Sequence, residues 1–267
     1  MRTLILFLVC AAGCAGRSAD TAPPLAVSHP GCFLLHDLRR GETTIRVGPE
    51  SCAQATVPAS TFKVPHALIA LQTGVVTDPD ALEKWDGVAR WNKAWDRDHS
   101  LATSMRESVV WFFMRTAEAI GGERMRGFLV AMDYGNAKVE GELTTFWLDD
   151  GSLRITGDEQ LDFMTRMVRR ELPGIDRAHV DTVERLMLTD RALMESRLPE
   201  GTAIPATQAT IHAKTGTATG VSWWTGRVTG PRGDFVFVSR VLPPGEPIGS
   251  SPAMAAGLRA LVEAGAL

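Results

Sequence analysis

Strand-type sequence is concentrated at the two ends of this chain, with helical pattern between. Near one end, Cys32-Phe33-Leu34-Leu35-His36-Asp37-Leu38 and residues 43–47 read as two strands joined by a turn at 39–42. Near the other, residues 210–214, 221–228 and 234–241 read as three antiparallel strands, the last two turned by Gly230-Pro231-Arg232-Gly233. A strand with one apolar face has to bury it against something, so the two groups are expected to meet in one sheet. The predicted fold class is α/β in the α+β sense: an antiparallel sheet built from both termini, with flanking helices and an inserted all-helical subdomain.

The intervening sequence carries the helices. Val64, Leu68, Leu71 and Val75 recur at helical spacing after Ser60, and Pro65 removes one amide near the start, where it is tolerated. Further helices are predicted over 101–120, 123–132, 157–171 and 177–188, and a closing one over 254–264. Thr156-Gly157-Asp158-Glu159 is a capping-box signature, and Leu161, Met164, Val168 and Leu172 form one core stripe. With 267 residues, 45% of them apolar, the chain can bury a single large core. The Trp223-Trp224 pair reads as strand packing, and Arg169-Arg170-Glu171 as a solvated helix end.

Residues 1–22 read as a leader: Met1-Arg2-Thr3 precedes an apolar run over 4–12 that suits a signal segment and is too short to span a bilayer. Residues 23–267 then form a single catalytic domain behind a Pro/Ala/Ser-rich tether. Ala11-Ala12-Gly13-Cys14 resembles a lipobox, which would make Cys14 a lipid anchor; simple cleavage before Ala22 is the alternative. Either route exports the protein, to the periplasm or to the envelope surface. Cys32 and Cys52 remain, as a disulfide in an oxidising compartment or as two buried thiols. No Cys/His cluster has zinc spacing, so no metal is expected. A net charge of −3 with mixed signs offers no basic stripe for nucleic acid.

Two short motifs suggest chemistry. Ser60-Thr61-Phe62-Lys63 puts a hydroxyl and an amine three residues apart at a helix start, on one face and within hydrogen-bond reach. A serine needs such a base to become a nucleophile. Alone, the pattern also fits an N-cap serine with a solvated lysine. Lys214-Thr215-Gly216 follows strand sequence, where a sheet edge can offer amides to a carbonyl, Lys214 can attract an anion and Gly216 can let a substrate approach. Alone, it also fits a strand leading to a turn. Together the two mark penicillin-recognising serine enzymes.

Between them, in order, stand Ser108-Val109-Val110, Tyr134-Gly135-Asn136 and Phe146-Trp147-Leu148, and Trp111-Phe112-Phe113 follows the first of these. In this set the chain resembles the class D, oxacillinase-type serine β-lactamases, from about Gly31 to the last helix. The resemblance implies a Ser60 nucleophile acting on a small-molecule β-lactam. It implies a base at Lys63 carboxylated by carbon dioxide, with no other cofactor, and an indole N–H from Trp147 that holds the carbamate. Ser108 would relay protons, the amides of Ser60 and Thr217 would form the oxyanion hole, and Lys214 with Thr215 would face the substrate carboxylate. Physically, an apolar Val110 beside Lys63 dries the amine and disfavours its charge. Tyr134-Gly135-Asn136 fits a plain turn equally well, and in either case its expected role is to shape the pocket wall, not to do chemistry.

One departure stands out: class D enzymes usually carry an arginine before the final helix to grip the carboxylate, and this chain has Gly249-Ser250-Ser251-Pro252 there. Weaker binding of ordinary penicillins is the expectation. Rival readings are a β-lactam sensor domain, which acylates without release, a D-Ala-D-Ala peptidase, and a non-enzymatic protein that kept the fold.

Overall fold

The computed structural model describes residues 31–198, 202–242 and 251–267. The leader, Cys14, the tether before Gly31 and the Gly249-Ser250 pair lie outside the described residues. Strands β1 (Gly31–Asp37) and β2 (Glu42–Val47) form the expected hairpin, and β3 (Thr210–Ala218), β4 (Val221–Gly230) and β5 (Gly233–Val241) the expected second group. All five make one antiparallel sheet in the order β2-β1-β5-β4-β3. The two groups join through β1 and β5, with Leu34 opposite Val238, which leaves β3 at an edge.

Nine helices are present among the described residues: α1 (Pro49–Ala53), α2 (Lys63–Gln72), α3 (Leu101–Glu107), α4 (Val110–Ile120), α5 (Gly122–Ala131), α6 (Gly157–Val168), α7 (Arg177–Leu186), α8 (Arg191–Arg197) and α9 (Pro252–Glu263). The capping box closes as expected, Thr156 Oγ1 accepting from the Glu159 amide at 3.1 Å and Glu159 accepting from the Thr156 amide at 2.8 Å. Three expectations need correction. The helix expected over 101–120 is two helices broken at Ser108, the helix expected to reach 171 stops at Val168, and the strand expected to end at 214 runs to Ala218. Two helices too short to show a period, α1 and α8, escaped the sequence reading. At the Arg169-Arg170-Glu171 end, Arg170 is not simply solvated but pairs with Asp181 and Glu184, at 2.6 and 2.9 Å.

Alternation along the strands sorts the core into two. Cys32, Leu34, Trp223, Val236 and Val238 face the larger helical side, where α6 lies on the sheet and α2 forms the axis for α4, α5 and α7. Phe33, Leu35, Trp224 and Phe237 face α9, through Met254, Leu258 and Leu261. Gly257 lets α9 lie on the sheet, because a Cβ there would stand 2.6 Å from the Trp224 ring. Cys32 of β1 and Cys52 of α1 are joined by a disulfide, which decides between the two readings of that pair.

Candidate active site

Ser60 sits where three parts of the molecule pin the chain. Trp223 Nε1 of β4 donates to the Val57 carbonyl at 3.0 Å, and the Ala59 amide donates to the Trp147 carbonyl at 3.1 Å. Ala59 is a buried non-glycine residue with φ of 48°, a left-handed conformation that L-residues adopt at a cost of about 1 to 2 kcal/mol. That turn starts a 3-10 segment, Ala59–Phe62, which runs straight into α2. Lys63 is therefore one helical turn from Ser60, and its Nζ donates to Ser60 Oγ at 2.7 Å. The hydroxyl is half-buried and the amine fully buried.

Aromatic rings surround that amine. Phe113 of α4 lies under Lys63 Nζ at 5.4 Å, and His66 packs edge-on against both Phe113 and Trp147, at 5.1 and 5.5 Å. Burial first, and then the charge of Arg197, holds the Lys63 pKa down to about 7. His66 offers no compensating charge: burial and the charge of Lys63 hold its pKa at about 3, and its Nε2 lies 3.1 Å from Thr116 Oγ1. Val110 opens α4 as a half-buried apolar residue packed on this core. The indole N–H of Trp147 is buried and has no hydrogen-bond partner among the described residues.

The second hydroxyl–amine pair depends on the break between α3 and α4. Ser108 stands at φ 59°, ψ 40°, where a helix cannot continue. The end is fastened from two directions: the Val109 amide reaches back to the Ser104 carbonyl at 3.0 Å, and Trp95 Nε1 donates to the Glu107 carbonyl at 2.9 Å. So held, Ser108 Oγ accepts from Lys214 Nζ at 3.1 Å. The same ammonium donates to the Thr215 carbonyl at 3.0 Å. Burial, followed by the charges of Lys63 and Arg197, holds the Lys214 pKa well below its ordinary value.

The edge strand supplies amides. The Ala213 amide donates to the Met187 carbonyl at 2.7 Å and the Ile211 carbonyl accepts from the Thr189 amide at 2.8 Å, so these two residues turn their peptide groups away from β4. In an antiparallel ladder that orientation repeats every second residue, which turns Thr215 and Thr217 outward as well. Gly216, between them, faces the nucleophile turn: a Cβ there would lie 2.8 Å from the Pro58 carbonyl oxygen and 2.9 Å from the Thr61 amide. The glycine admits the Ser60 turn against the strand.

A Ser–Lys pair at a helix start, a second hydroxyl–lysine pair and an outward-facing strand edge converge at one place. Residues 31–251 match the family described as the penicillin binding protein transpeptidase domain. The chain is 36% identical over 214 residues to the probable β-lactamase YbxI of Bacillus subtilis, covering 79% of this chain and 74% of that one. It superposes on the crystal structure of a class D β-lactamase from Bacillus subtilis with a TM-score of 0.75 at 33% identity, over 90% of this chain and 93% of the other. It also superposes on the class D β-lactamase YbXI from Nostoc with a TM-score of 0.79 at 27% identity, covering 90% and 95%. This chain belongs to the class D serine β-lactamases.

In this class D β-lactamase, Ser60, Lys63, Ser108, Lys214, Thr215, Gly216 and Thr217 all lie around one site, while Trp147 packs on His66, one turn along α2 from Lys63, and Val110 packs on the same core. Tyr134 stands behind the site. It is fully buried, 5.9 Å from the Phe62 ring, and its hydroxyl donates to Gln160 Oε1 at 3.2 Å. Asp133, Gly135 and Ala137 all have positive φ, so this motif is a tight turn whose buried tyrosine backs Phe62. Sequence reasoning missed Ala59, His66 and Arg197. His66 was visible one turn after Lys63, on the same helix face. Nothing in the sequence marked Arg197.

Proposed function

We propose that this enzyme hydrolyses the β-lactam amide of penicillin-type compounds through an acyl-enzyme on Ser60, with the side chain of Lys63 as base. The observation that carries the reading is the 2.7 Å contact between Lys63 Nζ and Ser60 Oγ inside a dry aromatic box, where burial holds the lysine pKa down to about 7. The Lys63 side chain takes the Ser60 proton as Oγ bonds to the ring carbonyl carbon. The Ser60 and Thr217 amides meet the oxyanion, each worth about 3 to 4 kcal/mol in such sites. The carbon–nitrogen bond then breaks, and the leaving nitrogen takes a proton from Ser108, which is replaced through Lys214 by the proton that Lys63 took from Ser60, so that Lys63 is a free base again. Water attacks the ester, the Lys63 side chain takes its proton and passes it to Ser60 Oγ as the ester bond breaks, and Ser60 is released with a ring-opened acid.

We further propose that Lys63 works as its carbamate, formed with carbon dioxide. The residues fit such a group: an amine about half of which is neutral at pH 7, the apolar ring of Phe113 beside it, and a buried indole N–H on Trp147 with no acceptor among the described residues. The carbamate supplies a carboxylate base that serves both halves of the reaction. Trp147 would hold it, and Val110 and Phe113 would keep water from it.

Export to the periplasm, by cleavage or by lipidation at Cys14, belongs to the same proposal. The Cys32–Cys52 disulfide supports an oxidising compartment.

Purified protein mixed with benzylpenicillin in bicarbonate buffer tests the main reading, following ring opening and the mass of the Ser60 peptide together. Sustained turnover with a transient adduct is expected. A stable adduct without turnover would place the protein with the sensors or peptidases, and no adduct would remove Ser60 as the nucleophile.

A further inference from the structure

Arg197 ends α8 and, with Lys214, Thr215, Thr189 and Met254, lines a cleft beside the outer edge of β3. Among the described residues no carboxylate pairs with it, and its guanidinium makes one long hydrogen bond, from Nη2 to the Arg106 carbonyl at 3.4 Å. Its neighbour Arg106, by contrast, is engaged by both oxygens of Asp190, at 3.0 and 3.3 Å. Arg197 is half-buried, and that burial pulls its pKa down. Two cations thus face one cleft with no anion between them among the described residues, an arrangement that costs free energy until an anion arrives. The space they enclose is about 10 Å³, the size that admits one water or one carboxylate oxygen.

The backbone places this arginine beside the segment that lacks one. The Ser251 amide donates to the Arg197 carbonyl at 2.8 Å, so the end of α8 abuts the start of α9. We propose that Arg197, with Lys214 and Thr215, binds the carboxylate of the β-lactam substrate, supplying from α8 the grip that the Gly249–Pro252 segment lacks. The inference rests on the β-lactam reading above. It removes the reason for expecting weak binding of ordinary penicillins, because a guanidinium is present after all and can donate a charge-assisted hydrogen bond to a carboxylate oxygen.

Wild type, Arg197→Gln and Arg197→Lys would be compared on benzylpenicillin and on its methyl ester, which lacks the charge. Arg197→Gln should raise KM for the acid about ten- to hundredfold, leave kcat within a few-fold, and leave kcat/KM for the ester unchanged. Arg197→Lys should recover part of the loss, and if the glutamine variant fails to fold it carries the test alone, with a several-fold rise in KM confined to the acid. Unchanged kinetics on the acid, or equal losses on acid and ester, would overturn the assignment. Wild-type protein that opens neither compound would overturn the β-lactam reading and this inference with it, whereas wild-type turnover with an indifferent variant overturns this inference alone.

Discussion

Lys63 and Lys214 are both buried, both donate to a serine hydroxyl, and both have their pKa lowered chiefly by burial. Their surroundings differ in kind. Lys63 is buried against the ring of Phe113, on which His66 packs edge-on with Trp147 beyond it, and Thr116 with His66 Nε2 is a neutral pair nearby. Lys214 lies on an edge strand, fixed by the Thr215 carbonyl, with Arg197 lining the same cleft. A lysine walled by rings has no route to a counter-ion and is left to shed its proton, which suits a base. A lysine at a strand edge beside a second cation is left to await an anion, which suits a binding residue. The same desolvation serves two purposes because one amine is sealed and the other is adjacent to an opening.

The largest expected effect separates the two directly. Lys63→Ala should lower kcat by about 10⁴-fold or more, since the nucleophile and its base act as a unit. Lys214→Ala should lower kcat/KM by about 10²-fold, with much of the loss in KM. Steady-state kinetics on benzylpenicillin reads both, and equal losses in kcat would erase the distinction.

A smaller effect probes the box itself. Trp147→Phe keeps the ring packing against His66 and Phe62 but removes the indole N–H, which has no partner among the described residues. Release of the acyl-enzyme should slow about ten- to hundredfold. The carbamate signal from ¹³C-labelled bicarbonate should weaken at the same time and return in part as bicarbonate is raised. An unaltered release rate with an intact carbamate signal would show that the indole holds nothing.

The smallest effect is a matter of pH. A lysine whose pKa is lowered to about 7 loses its proton as pH rises through that value. The single-turnover acylation rate should therefore climb about tenfold per pH unit below 7 and level off above it. His66, already near 3, should contribute no limb of its own above pH 5. A limb near the ordinary lysine range would mean that Lys63 is not sealed.

Much of this arrangement was legible before any coordinates. Ser60 and Lys63 lie three residues apart on one helix, and helical rise alone brings them together. The hairpin, the three later strands and the Thr156–Glu159 cap were legible for the same reason, since each is set by neighbours in sequence. The break at Ser108 was not. Val109 and Val110 continue the apolar pattern of a helix, and no glycine marks the left-handed residue. The break is held by Trp95 Nε1, which caps the Glu107 carbonyl from another segment. The disulfide was open for a similar reason, as two buried cysteines and a bonded pair look alike until β1 and α1 are seen in contact.

The sequence by itself put Ser60 beside Lys63 and set the class of sheet and the order of the motifs, because short-range spacing and side-chain periodicity fix those within a few residues. Tertiary structure alone decided that Gly216 faces the Ser60 turn, that Trp147 presents a buried N–H with no partner among the described residues, and that Arg197 shares a cleft with Lys214. Each of those facts depends on which atoms of distant segments meet, and contact between distant segments is set by packing of the whole chain, to which no local pattern gives access.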